Sequence, residues 1–208
     1  MNPEKFFEAQ LKELVQDCLY GQFHYRTWQR LNQSFGREKE TMEVASLFFV
    51  GTAEAHLNST RLHLYRILDN GSKVNSIYNL IKFAEINKEI FSNQSKLNRI
   101  LEKHHKLLTT LNPIIENILK HRNKHFIHKS KEYLNLGYER LYKEYSGTYK
   151  DYREILEVIG EILNDILWLF KDGEFSFKFI DEDADFENLR YYLKKGINAA
   201  EKENKYLE

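Results

Sequence analysis

The feature that most constrains this chain is how far it runs without a helix breaker. Only two prolines occur in its 208 residues, at positions 3 and 113. Proline is the residue a helix interior tolerates least. Between the breakers, large apolar side chains recur every three or four positions, which places them on one helix face. The cleanest run covers residues 149–171, where Ile155, Ile159, Ile162, Leu163, Ile166, Leu169 and Phe170 share a face. Such a stripe has to be buried against another helix. Hydrophobic residues make up 42% of the chain and aromatics 14%, enough to form a packed core. The expected class is all-α, an antiparallel helical bundle.

Reading along the chain, Phe7, Leu11, Leu14, Val15 and Cys18 predict a helix over residues 3 to about 20, with Pro3 in its first turn. Gly21 is expected to break or bend it before the pattern resumes through Trp28 and Leu31. Residues 38–69 read as one helix with a stripe of Val44, Leu47, Phe48, Gly51, Ala55, Leu62, Tyr65 and Leu68. Asp69-Asn70-Gly71-Ser72 is a stop and turn signal. A shorter helix follows over 76–91, and a long one runs from Leu97 to about Ile127. Pro113 predicts a kink or restart in the long helix near Asn112. Thr148 is placed to cap the helix that follows. Residues 1–172 are expected to form the bundle, and 173–208 a short extended arm plus a C-terminal helix, about 184–204, packed on the bundle or extending from it. The arm reading rests on the alternation of Phe175-Ser176-Phe177-Lys178-Phe179.

Several classes fall away. Cys18, the only cysteine, sits in the first apolar stripe and reads as a buried thiol. No stretch approaches the roughly 20 apolar residues of a membrane span, and the N-terminus carries early acids with no apolar run. A cytoplasmic protein with no membrane association is expected. The net charge is zero, so the overall field does not draw the chain toward nucleic acid. Locally the balance differs: Lys120, Arg122, Lys124, Lys129 and Lys131 form a basic run with no acid, while Asp181, Glu182, Asp183, Asp185 and Glu187 form an acidic one.

The basic run holds the residues with chemistry to offer. His121-Arg122-Asn123-Lys124-His125-Phe126-Ile127-His128-Lys129 follows a stripe of Leu111, Ile115 and Ile118. At 100° per residue Arg122 lies about 20° from the direction of Leu111, where the pattern calls for another leucine. A guanidinium there needs a carboxylate partner, or a helix end that opens onto a cleft or a partner surface. His121, His125, His128 and Glu132 also fall on one helical stripe, which raises a metal-binding alternative. A helix face alone supplies few good ligands, and no remote cluster completes such a site. His104 falls on an apolar stripe and reads as a hydrogen-bonded core histidine, while His56 and His63 form a helix-face pair with no evident partner.

Arg122 and His128 enclose five residues, and the polar Asn123 follows the arginine. This spacing resembles the arginine-to-histidine motif of the HEPN superfamily. Arg122-Asn123-Lys124-His125 with a second histidine shortly after looks like its abortive-infection U-type branch. The likeness extends upstream to Leu68-Asp69-Asn70 at a helix end and to Ser76-Ile77-Tyr78-Asn79-Leu80-Ile81, spanning roughly residues 20–170. The resemblance implies a HEPN-type bundle with an additional C-terminal helix. It implies a metal-independent endoribonuclease in phage defence or a toxin–antitoxin system, with no cofactor and no metal. His128 would be general acid or base, Arg122 would hold the scissile phosphate, and Asn123 would orient either. Lys124, His125, Lys129 and His121 would flank the bound RNA. On a helix, Arg122 and His128 stand about 9 Å apart along the axis and about 120° apart around it. The family's arrangement, a homodimer with a composite site across the two-fold, answers that separation. An antitoxin protein is a further expected partner. Some relatives carry a tyrosine two residues after the motif histidine; Ser130 stands there in this chain. The alternative is a non-catalytic helical HEPN protein that binds RNA, nucleotide or protein.

Overall fold

The computed structural model describes residues 2–123, 148–171, 173 and 182–205, and these form an all-α bundle. The helices are α1 (Pro3–Arg37), α2 (Lys39–Glu43), α3 (Ser46–Ile67), α4 (Ile77–Ile86), α5 (Gln94–His121), α6 (Tyr149–Lys171) and α7 (Glu182–Lys205), with a 3-10 turn at Lys88–Ile90. Among the described residues there is no strand. Residues 124–147 and the arm expected at 175–179 lie outside the described residues.

Helix α1 is the spine. Its 35 residues span about 52 Å at 1.5 Å per residue. Asn2 caps it by accepting from the Glu4 N–H at 2.8 Å, and Pro3 fills the first turn. Gly21 does not interrupt it. A Cβ there would lie 3.1 Å from Leu156 Cδ2 and 3.4 Å from His63 Cβ. The glycine therefore marks a place where α3 and α6 press closely on α1, and tertiary packing outweighs its poor helix propensity.

Helices α1 and α3 pack antiparallel, as the pairs Asp17–His63 and His24–His56 require. The expected single helix over 38–69 is divided by a turn at Val44–Ala45 into α2 and α3. Its buried face also differs from the expected one. Phe49, Ala53, Leu57, Thr60, Arg61, Leu64 and Tyr65 are inside, whereas Leu47 is 89% exposed and Val44, Phe48 and Leu62 also face outward. Apolar residues surround this helix, so periodicity allowed two faces. The chosen one gives the buried Arg61 guanidinium its hydrogen bonds to Tyr152 Oη at 3.2 Å and Asn58 Oδ1 at 2.9 Å.

Helix α5 runs through Pro113 without the expected restart. Pro113 and Thr109, whose carbonyl loses its intrahelical donor there, are both exposed, so water can satisfy the carbonyl. The buried stripe Leu97, Leu101, His104, Leu108, Leu111, Ile115 and Ile118 continues unbroken. Helix α6 packs on α1 and α5 with its expected aliphatic face. Thr148 and Asp151 cap it reciprocally: the Thr148 N–H meets Asp151 Oδ2 at 2.6 Å and the Asp151 N–H meets Thr148 Oγ1 at 3.3 Å. Phe7 gathers Phe83, Phe91 and Phe170 at centroid distances of 5.0–5.9 Å, closing the end where α1 starts and α6 stops. Helix α7 lies against the far end of α1, with Phe186 and Leu193 on the core and Arg190 paired to Glu38.

Candidate functional site

The site is built where α5 runs out. The stripe that buries Ile115 and Ile118 next presents His121, which is 2% exposed and places Nδ1 3.0 Å from the Tyr65 hydroxyl on α3. Burial pushes the Tyr65 phenol above its usual range, so it stays neutral and able to donate or accept at this contact. His121 thus packs beneath the surface, because the stripe position it occupies is the inward one.

Arg122 and Asn123 extend α5 by a π-helical turn, and the Arg122 N–H is shared between the Ile118 and Leu119 carbonyls. The Arg122 side chain lies at the bundle edge, 16% exposed. There a carboxylate meets it, the first of the two possibilities open from the sequence. Arg122 Nη1 donates to Asp69 Oδ2 at 2.7 Å, and Arg122 Nε donates to Asn123 Oδ1 at 2.9 Å. Two of the five guanidinium N–H groups are used in these bonds.

Asp69 is held in turn. Its Oδ1 accepts from the Gly71 N–H at 2.8 Å, an Asx turn directly after α3. That backbone donor first, and Arg122 after it, hold the carboxyl below its usual range against the opposing effect of burial. The turn is pinned by Asn79 at the start of α4, whose Nδ2 donates to the Gly71 and Val74 carbonyls, both at 2.8 Å. Ser76 caps that helix. Asp69 was legible only as a turn former. The signal for its second role was the need of a stripe-position arginine for an acid.

Beside this pair lies a cleft of about 360 Å³ lined by Glu13, Asp17, Arg66, Asp69, Val74 and Asn75. Asp17 accepts from His63 Nδ1 at 2.9 Å and pairs with Arg66 at 3.0 Å, so the cleft wall next to Asp69 is a second fixed ion-pair group. Of the residues singled out in the sequence, Arg122 and Asn123 come together at this edge. Lys124, His125, His128 and Lys129 lie outside the described residues, as does Glu132 of the metal-binding alternative. Among the described residues no group of three or more His, Cys, Asp or Glu is arranged to hold a metal ion. No described helix is long and apolar enough to cross a membrane.

A helical bundle of this size, with an ion-paired arginine and a following asparagine where its long helix ends, fits the HEPN-type architecture that the sequence resembles. The chain belongs to the AbiU2 family of HEPN domains: the family model HEPN_AbiU2 matches residues 4–189, nearly the whole bundle. It is therefore an abortive-infection HEPN protein. No curated protein and no solved structure matches it.

Proposed function

We propose that this chain is a metal-independent endoribonuclease acting in phage defence or a toxin–antitoxin system, with a composite site formed by two copies. The observation that carries the reading is the Arg122 guanidinium held at the bundle edge by Asp69 and Asn123. An arginine fixed in direction, with N–H groups beyond those two bonds, suits a phosphate that gains charge in a transition state. Arg122 holds the scissile phosphate. His128 takes the proton of the adjacent 2′-hydroxyl, whose oxygen bonds to phosphorus while the bond to the 5′-oxygen breaks. The same histidine of the second copy returns a proton to that 5′-oxygen. The products are a 2′,3′-cyclic phosphate and a free 5′-hydroxyl. Asn123 orients Arg122, and Lys124, His125 and Lys129 bind flanking phosphates. The expected partners are RNA, a second copy and an antitoxin.

A second reading, a binding protein without catalysis, is favoured by the same ion pair, since Asp69 already neutralises Arg122. RNA cleavage in EDTA by the purified chain separates the two. The ribonuclease reading expects cyclic-phosphate ends, lost in both Arg122→Ala and His128→Ala. The binding reading expects no cleavage, affinity lost with Arg122→Ala and retained with His128→Ala.

A further inference from the structure

Outside this site, two imidazoles meet across the seam between α1 and α3. His24 Nδ1 lies 2.8 Å from His56 Nδ1, with ring centroids 5.0 Å apart. Both rings are half-buried, which leaves a route from solvent. Phe23 packs edge-on to both, at 5.2 and 6.1 Å. His63 stacks on His24 at 5.8 Å, but its Nδ1 is committed to Asp17. In the metal-free pair one Nδ1 donates a proton that the other accepts.

We propose that His24 and His56 form a two-nitrogen chelate for a divalent first-row transition ion, preferring Cu(II) and Ni(II) to Zn(II). The preference follows from the spacing. Metal–imidazole bonds are about 2.0–2.1 Å, so neighbouring donors at right angles stand about 2.9 Å apart and tetrahedral donors about 3.3 Å apart. The observed 2.8 Å fits the right-angle geometry of tetragonal Cu(II) and Ni(II). Tetrahedral zinc requires the helices or rings to open by about half an ångström. Both rings bind through neutral imidazole nitrogens. Binding moves the shared proton from Nδ1 to Nε2 of one ring, and none is released. With two protein donors, water fills the remaining positions. The proposal does not depend on the ribonuclease reading.

The test uses the full chain, stripped with EDTA and exchanged into metal-free buffer at pH 7. Separate calorimetric titrations with Cu(II), Ni(II) and Zn(II) chlorides are run on wild type, His24→Ala, His56→Ala, His63→Ala and the double variant His125→Ala/His128→Ala. One Cu(II) per chain is expected, weakened more than about tenfold in His24→Ala and His56→Ala. His63→Ala and the double variant should bind as wild type, and Ni(II) should bind more tightly than Zn(II). Electron paramagnetic resonance of wild type at substoichiometric Cu(II) should show two coupled nitrogens, a readout that stands even if a variant fails to fold. Undiminished binding in both alanine variants, fewer than two coupled nitrogens, or zinc bound more tightly than nickel overturns the proposal.

Discussion

Asp69 Oδ2 lies 2.7 Å from Nη1 of Arg122, tying the turn after α3 to the last turn of α5 across 53 residues of sequence. The acid is fixed by the Gly71 N–H and the turn by Asn79, so the guanidinium inherits its direction from rigid backbone. Asp69→Ala should therefore lower RNA cleavage by about 10- to 100-fold, since small misplacements of a catalytic group cost that much. The fold should lose only about 1 kcal/mol, because the pair is partly solvated. Because the folded-state value of Asp69 lies below its unfolded one, the stability it contributes is present above the unfolded value and vanishes as pH falls through the folded one. The difference in Tm between wild type and Asp69→Ala should shrink below about pH 4. Wild-type cleavage by Asp69→Ala would contradict this role.

Acid should destabilise the whole bundle through buried histidines. His104 is fully buried with Nε2 3.1 Å from Asp165 Oδ2, and burial lowers its pKa despite that carboxylate. The unfolded chain takes up the proton near pH 6.5 while the folded chain refuses it, so stability falls as pH drops. His24, held down to about 4, and His56 act with the same sign. Thermal melts should give a level Tm above about pH 7 and a decline between about 6.5 and 4, less steep in His104→Gln. A Tm unchanged from pH 7 to pH 5 would remove this explanation.

Cys18 should be inert in the folded protein. The thiol is fully buried near the Leu156 carbonyl and Gln22, and burial pushes it up to about 12. With so little thiolate at neutral pH, reaction with a disulfide reagent should wait for opening of the bundle. Thiol titration with and without denaturant measures it; immediate reaction in native buffer would be the contrary result.

Gly21 is a close contact between three helices. Gly21→Val should destabilise by about 1–3 kcal/mol through overpacking against Leu156 and His63. Gly21→Ala should be much milder, since about 1 kcal/mol of helix propensity offsets the squeeze. Denaturant midpoints for the two variants check the order.

The parts legible in advance were those with one dominant periodicity. The stripes of α5 and α6 could be buried in only one way, and Thr148 capped as its side chain allows. Helix α3 was misread because its apolar residues surround it; the face was decided by Arg61 needing Tyr152, a contact 91 residues away. Arg122 stood out because a charge replaced an expected leucine. Asp69 was masked by its own turn chemistry, and the His24–His56 pair by a separation of 32 positions that no period connects. At Pro113 the local rule offered a kink or a restart, and the helix continues there without restarting because the site is solvent-exposed.

The shared two-copy site is tested most directly by mixing wild type with an inactive partner. Wild type and His128→Ala are each purified, combined in equal amounts, allowed to exchange subunits and assayed on RNA in EDTA. If one site uses His128 of both copies, the mixed dimers are inactive and wild-type dimers fall from a half to a quarter of the total. Activity should then drop to about half of its value before exchange. Activity unchanged by exchange, as expected if each copy holds a complete site of its own, would contradict it.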